Sequence, residues 1–219
     1  MTKTEKKKRL VDIVDRLKKV YPSAACALEY GGDPWKLLVM GRLSAQCTDA
    51  RVNTVSKELF KAYPTATDMA SAPLLDIENL IKSCGLYKAK AISLKESSAM
   101  LIRDFEGVVP NEMEKLLKFP GVGRKIANLL IGDIYGLPAV VCDTHCIRIC
   151  GRLGMYDEKI KDPLKVERIM SEYIPLDSQS DFCHRIVQFG RDVCSARSPR
   201  CEHCPMSDFC ARGLANSSK

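Results

Sequence analysis

The chain has 219 residues, a net charge of +7 and 46% hydrophobic residues, an ordinary composition for a globular protein of one or two domains. No apolar stretch approaches the roughly 20 residues that a membrane-spanning helix requires, and the basic N-terminal sequence lacks the apolar segment of a signal peptide. These features exclude an integral membrane protein, predict a cytoplasmic location and weakly favour a polyanionic partner.

Helical periodicity recurs along the whole chain. Residues 5–20 place apolar side chains at spacings of three and four, which predicts an amphipathic helix. Asp33 and Thr48 stand before the next two apolar segments, where N-cap residues are preferred. Further helices are predicted over residues 72–85, 88–107, 111–119, 124–136, 143–154, 163–174 and 180–194. No segment shows the sustained alternation typical of a strand, so the predicted fold class is all-α.

The string PGVG at residues 120–123 separates two of these helices. Gly121 and Gly123 lack a Cβ atom, so they allow unusual backbone angles and close approach by another molecule. The free N–H groups at the start of the following helix favour an anion such as phosphate, and Arg124 and Lys125 add positive charge. Taken alone, the same string also fits a simple tight turn between packed helices.

The helix after this turn has a predicted apolar face. With 100° of rotation per residue, one arc holds Ile126, Leu129, Leu130 and Ile134. The opposite side holds Lys125, Asn128, Gly132 and Tyr135. We therefore expect Lys125 to point away from the core.

The eleven cysteines are an odd count in a chain without an export signal, which indicates reduced thiols and metal binding rather than disulfides. Four of them lie close together near the C-terminus: Cys194, Cys201, Cys204 and Cys210. Their spacing is compatible with one metal centre, either zinc or iron–sulfur. A second group, Cys142, Cys146 and Cys150, falls on one helix face, where buried thiols are the ordinary explanation.

Five motifs resemble those of the endonuclease III family of DNA-repair enzymes. FPGVGRKIAN (119–128) is similar to the family's helix-hairpin-helix string LPGVGRKTAN, LSAQCTD (43–49) to LSAQATD, and CGLYKAKA (84–91) to GLYxxKA. CDTH (142–145) matches VDTH from the aspartate onward, and the four-cysteine spacing is that of the family's 4Fe–4S loop. Arg42 departs from the family, which usually has an apolar residue there.

The resemblance implies two helical domains and a cofactor. A six-helix barrel with the helix-hairpin-helix motif is expected over residues 27–137. An iron–sulfur cluster domain is expected to combine residues 1–26 with 138–219. A 4Fe–4S cluster would be held by Cys194, Cys201, Cys204 and Cys210.

The resemblance also implies a bifunctional DNA glycosylase/AP lyase that excises oxidised pyrimidines in base excision repair. Lys125 would attack C1′ of the damaged nucleotide, and Asp143, which is also placed as an N-cap, would assist the proton and charge movements. Gln46 would enter the space left by the extruded nucleotide, and Leu86 would wedge between bases. The DNA phosphate would be bound at the hairpin by Gly121, Val122, Gly123 and Arg124.

The partner implied is double-stranded DNA carrying a damaged base or an abasic site, bound by a monomeric, nucleoid-associated protein without membrane contact. Three other interpretations remain open at this level. They are a monofunctional adenine-type mismatch glycosylase of the same fold, a non-catalytic cluster-bearing DNA-binding module, and a zinc-stabilised helical protein. Retention of lysine at position 125 favours the bifunctional enzyme.

Overall fold

The structure is a computed structural model that describes residues 2–210. Over that range it is helical and has no β-strand, which confirms the predicted all-α class. The α-helices are α1 (Lys3–Val20), α2 (Pro34–Leu43), α3 (Asp49–Ala62), α4 (Ala66–Ser71), α5 (Leu74–Ile81), α6 (Tyr87–Phe105), α7 (Met113–Leu116), α8 (Arg124–Asp133), α9 (Thr144–Arg152), α10 (Pro163–Tyr173) and α11 (Gln179–Asp192). Short 3-10 helices span Lys82–Cys84, Leu176–Ser178, Cys201–His203 and Ser207–Phe209.

The predicted N-caps are confirmed. The side chain of Asp33 accepts a hydrogen bond from the Lys36 amide, 3.1 Å away, and the Thr48 hydroxyl accepts from the Arg51 amide. These caps satisfy amides that have no partner within the helix. No helix among residues 2–210 is both long and apolar enough to cross a bilayer.

Two helical predictions were wrong. No helix was expected between residues 64 and 72, yet α4 forms there behind a capping box of Thr65 and Asp68, because six residues are too few to show periodicity. The helix expected over 111–119 shortens to α7. The amides of Lys118 and Phe119 instead donate to carbonyls three residues earlier, as in a turn. The helical conformation is disfavoured for the residue before Pro120.

The chain divides into two compact units. Among the described residues, the central unit comprises residues 26–135 and carries α2 to α8, and the terminal unit comprises residues 2–25 and 136–210 and carries α1 and α9 to α11. Each unit has its own apolar core.

The core of the central unit surrounds α8. Every residue from Ile126 to Gly132 is buried. The prediction that Asn128 and Gly132 lie on a side of the helix away from the core was therefore wrong. Helix α2 also packs closely on α8, because a Cβ added at Gly41 would lie 3.1 Å from a methyl carbon of Ile126. The hairpin is therefore fixed by a helix that is packed on almost all sides.

The core of the terminal unit is built on the predicted apolar face of α1. The buried side chains of that helix are Leu10, Ile13, Val14 and Leu17. Helix α11 contributes Phe189, whose ring lies 6.5 Å from the ring of Tyr21. The buried guanidinium of Arg185 donates to the Tyr21 carbonyl over 3.2 Å and to Asp181 over 2.9 Å, so its charge has partners.

Candidate active site and cluster centre

The hairpin turn, residues 119–123, leads directly into α8. Gly121 has a φ of 77°, a region that disfavours residues with a Cβ atom, and the Val122 amide donates to the Phe119 carbonyl over 3.0 Å. Gly123 is the N-cap and has an ordinary extended backbone with φ of −104°. Only Gly121 therefore needs glycine for its backbone angle, whereas Gly123 leaves the turn free of a side chain.

Arg42 explains a second constraint on Gly121. A Cβ at this glycine would overlap Nε and Cδ of Arg42, whose Nε donates to Ser93 Oγ over 2.8 Å. Arg42 is half-buried, and burial lowers the pKa of its guanidinium. The residue that departs from the family pattern thus packs against the hairpin turn.

Lys125 lies in the first turn of α8 and is exposed, as predicted. Its neighbour Arg124 is half-buried, and the seven residues that follow Lys125 are all buried. The sequence thus leads from an exposed glycine turn, through one exposed lysine, directly into the core. The backbone of Lys125 is therefore fixed by the helix, while its side chain is accessible to a substrate.

Gln46 and Leu86 have unusual backbones. Within the described residues only three non-glycine residues have positive φ: Gln46 (54°), Leu86 (47°) and Glu106 (54°). Both Gln46 and Leu86 are exposed, and the Leu86 side chain is 61% exposed despite being apolar. Strained residues of this kind persist where the surrounding structure holds them, often at functional sites.

Asp143 is the N-cap of α9 and belongs to the terminal unit. Its Oδ1 accepts a hydrogen bond from the Cys146 amide over 2.8 Å, which confirms the capping role. The side chain is half-buried. Of the predicted site residues, those for DNA binding and the lysine lie in the central unit, whereas Asp143 and the cysteine ligands lie in the terminal unit.

The four C-terminal cysteines line one cavity. It encloses about 320 Å³ of space free of protein atoms, including space open to solvent, and its wall contains Cys194, Cys201, Cys204 and Cys210. The thiols influence one another: burial, and then the other three cysteines, raise the pKa of Cys204. None of the eleven cysteines, all of which lie in the described part of the chain, forms a disulfide.

The shared cavity is compatible with an iron–sulfur cluster. Among residues 2–210, no three His, Cys, Asp or Glu side chains converge closely enough to hold one metal ion. Zinc would require four thiolates at about 2.3 Å from one point. A four-iron cubane is larger than one ion, and four cysteines that line one shared cavity are compatible with it.

Arginines that sequence reasoning did not single out support this cavity. Arg152 Nη1 donates to Cys194 Sγ over 3.3 Å and to the Ser195 carbonyl over 2.8 Å. Arg148 donates to the Cys194 carbonyl over 3.0 Å. Arg148 and Arg152 are four residues apart on α9, so they lie on the same helix face. Nothing in the sequence, however, connects them with cysteine-segment residues more than 40 positions later.

The second cysteine group is a buried thiol cluster, as the ordinary explanation predicts. Cys142, Cys146 and Cys150 are at most 7% exposed, and the Cys146 and Cys150 sulfurs lie 4.0 Å apart. A hydrogen bond with Cys146, together with burial, raises the pKa of Cys142. These thiols pack as small apolar groups.

Comparison with known proteins identifies the family. The HhH-GPD superfamily of base excision DNA repair proteins matches residues 39–176, and the iron-sulfur binding domain of endonuclease III matches residues 194–210. The chain is 40% identical over 212 residues to endonuclease III of Bacillus subtilis (strain 168), which covers 97% of this chain and 96% of that protein. The chain belongs to the endonuclease III family.

Two solved structures of endonuclease III share this fold. A non-covalent endonuclease III–DNA complex superposes with a TM-score of 0.91 at 40% identity, covering 97% of this chain and 99% of that one. A trapped endonuclease III–DNA covalent intermediate superposes with a TM-score of 0.90 at 40% identity, covering 96% and 98%. As an endonuclease III family member, the chain is a bifunctional DNA glycosylase/AP lyase of base excision repair and carries a 4Fe–4S cluster, which confirms both predictions.

Proposed function

We propose that the chain acts as a monomer on double-stranded DNA and excises oxidised pyrimidines, with Lys125 as the nucleophile. The observation that carries this assignment is the position of Lys125, which is the exposed residue between the hairpin turn and seven consecutive buried residues. A lysine whose backbone is fixed and whose side chain is exposed can present its amine to the reacting atom of a bound substrate. The choice of oxidised pyrimidines rests on the family resemblance.

The reaction proceeds in three steps. First, the lone pair on Lys125 Nζ attacks C1′ of the extruded nucleotide, the bond from C1′ to the base breaks, and the base leaves with a proton. The nitrogen lone pair then breaks the C1′–O4′ bond, O4′ takes up a proton, and the open sugar is left as an iminium ion. The iminium ion makes the C2′ hydrogen acidic, so its removal expels the 3′ phosphate by β-elimination in the second step. Water then releases the sugar and restores the amine.

Asp143 supplies the carboxylate that this chemistry needs. One of its oxygens is committed to the Cys146 amide, which fixes the rotamer, and the carboxylate has a second oxygen. We assign that group to stabilising the cationic sugar and to proton transfer. The N-cap hydrogen bond from the Cys146 amide thereby positions the Asp143 carboxylate for catalysis.

The DNA is held and opened by the central unit. Gly121, Val122, Gly123 and Arg124 bind a phosphate through the open turn and the start of α8, whose dipole favours an anion. The exposed side chains of Gln46 and Leu86 fill the gap that the extruded nucleotide leaves. This assignment explains why an apolar side chain and a strained backbone occur together on the surface.

The cluster ligands are Cys194, Cys201, Cys204 and Cys210, and their assignment is supported by the shared cavity. When bound, the cluster supplies binding free energy that folds a segment with little apolar content of its own. The chain's own arginines then fix the first ligand, because Arg152 donates to the Cys194 sulfur and to the backbone beside it.

Borohydride trapping tests the assignment of Lys125. Wild-type protein should form a covalent adduct with duplexes that contain thymine glycol, dihydrouracil or an abasic site. Lys125→Gln should abolish the adduct on all three, and Asp143→Asn should slow its formation. The matched control is Lys118→Gln, which removes the same charge from an exposed position before the hairpin turn and should leave trapping intact. An adduct that survives Lys125→Gln would contradict the assignment, and trapping on the abasic duplex alone would contradict the base preference.

A further inference from the structure

Among residues 2–210, Lys90 is a completely buried charged side chain, with 0% of its surface exposed. Its ammonium group has three N–H donors, and all three are used. Nζ donates to the carbonyls of Leu43 over 2.8 Å, Ala45 over 2.8 Å and Cys84 over 2.7 Å. Within residues 2–210 no carboxylate forms a salt bridge with it. A buried cation without a counter-ion is costly, so its role must lie in the carbonyls that it holds.

The three carbonyls come from the two segments that carry Gln46 and Leu86. Leu43 is the last residue of α2, and Ala45 directly precedes Gln46. Cys84 ends a 3-10 helix, and Gly85 and Leu86 follow it. Carbonyls at the end of a helix have no donor within the helix, and the Lys90 ammonium supplies donors at two such ends. Its Nζ atom therefore bonds to both segments.

In both segments, a residue next to the Lys90 contacts has a left-handed backbone conformation. Gln46 and Leu86 are two of the three non-glycine residues with positive φ among the described residues. Each such backbone is disfavoured for a residue with a Cβ atom and persists only where its surroundings hold it. The lysine contacts at Ala45 and Cys84 lie within two residues of both positions, so they are close enough to help hold that conformation.

The same face of α6 continues to the hairpin turn. Ser93 Oγ donates to the Lys90 carbonyl over 2.9 Å and accepts from Arg42 Nε. Ser97 Oγ donates to the Pro120 carbonyl over 3.1 Å. These positions share a helix face, and the three α6 side chains are at most 6% exposed. One buried polar stripe therefore contacts all three segments assigned to DNA.

We propose that Lys90 is a positioning residue for nucleotide extrusion, which fixes Gln46 and Leu86 relative to each other by binding both of their segments. This inference rests on the DNA-filling roles proposed above for those two residues. Lys90 itself touches no substrate. Its contribution is to present two gap-filling side chains at a fixed separation before the DNA arrives, which avoids an ordering cost during binding.

The test is a double-mutant cycle on duplex DNA containing thymine glycol. Lys90→Met keeps most of the buried volume and removes the donors, and it should slow single-turnover excision at least tenfold. It should also reduce the fluorescence rise of a 2-aminopurine placed beside the lesion, which reports unstacking. The same change in a Gln46→Ala/Leu86→Ala protein should alter the rate less than twofold, because the groups that Lys90 positions are gone.

The matched control is Lys95→Met on the same helix. Lys95 donates to the Ala72 carbonyl, outside both segments, and its loss should leave rate and fluorescence within twofold of wild type. Lys90→Gln retains two donors and should give an intermediate rate. That variant carries the test if circular dichroism shows that Lys90→Met does not fold.

Two results would overturn the proposal and are distinguishable. If the Lys90 substitution slows the reaction by the same factor in both backgrounds, the lysine does not act through Gln46 and Leu86. If Gln46→Ala/Leu86→Ala excises and unstacks like wild type, the gap-filling roles fail and the role of Lys90 fails with them. Neither result touches the assignment of Lys125, which borohydride trapping tests separately.

Discussion

The hairpin turn and the cluster segment, defined as residues 194–210, obtain their structure in opposite ways. The turn enters a helix whose residues 126–132 are all buried, so apolar packing holds it. The cluster segment buries a single residue, Met206, and otherwise consists of exposed or half-buried positions. A segment with so little apolar burial cannot offset its conformational entropy by packing alone. The hairpin turn therefore depends on the apolar core for its structure, whereas the cluster segment depends on the binding of its metal cluster.

The largest effect is expected from removing a cluster ligand. Cys204→Ser should give colourless protein whose cluster segment is cleaved rapidly by protease, because metal binding free energies of about 10 kcal/mol and more are lost from its folding. Absorbance in the visible range and limited proteolysis measure this. Cys26→Ser removes a half-buried thiol of the central unit and should change neither. A Cys204→Ser protein that stays brown and resists protease would show that the cluster segment does not depend on this ligand for its structure.

A core truncation beside the hairpin should have the next largest effect. Leu130 in α8 is fully buried, so Leu130→Ala should lower the free energy of unfolding by about 2–5 kcal/mol. The visible absorbance of the cluster should stay unchanged in the folded protein. Leu117→Ala, at a position 40% exposed, is the control and should cost far less. Equal urea midpoints for the two variants would show that packing does not fix the hairpin.

A smaller effect is expected at the contacts between α1 and the cluster segment. Arg16 donates to the Pro205 carbonyl over 2.9 Å and to Asp208 over 2.5 Å, and its guanidinium carbon lies 4.5 Å from the centre of the Phe209 ring. Arg16→Met should destabilise the segment by about 1–2 kcal/mol, since these contacts are partly exposed. The measurement is the rate of cluster bleaching in urea. Lys18→Met, an exposed change on the same helix, should bleach like wild type.

The smallest effect concerns pH and the core of the terminal unit. Burial and the nearby Asp192 carboxylate raise the pKa of Tyr21 to about 12, whereas an unfolded tyrosine has a pKa of about 10. Between these values the unfolded chain loses a proton that the folded protein keeps, so stability falls as the pH rises. Tyr21→Phe keeps the ring against Phe189 and should flatten this fall, as measured by urea midpoints at pH 9, 10 and 11. Parallel curves for both proteins would contradict it.

The sequence determined the helical class and most helix positions, and its resemblance to the endonuclease III family implied the cofactor and the reaction. Spacings of three and four and local caps such as Asp33 depend only on neighbouring residues, so they are visible without a fold. The motif around Lys125 and the four-cysteine spacing are equally local. The short α4 was missed because six residues carry too little periodicity, and α7 ends early because the residue before Pro120 is disfavoured in a helix.

The tertiary structure alone decided how these local features are held. Asn128 was expected on a polar face and is buried, because α8 is packed on nearly all sides. Lys90 was not among the predicted site residues, yet it binds carbonyls from residues 43, 45 and 84. Hydrogen bonds between distant segments leave no periodic trace in a sequence. Local chemistry could therefore be predicted here, whereas the buried polar contacts that orient it appeared only once the chain was folded.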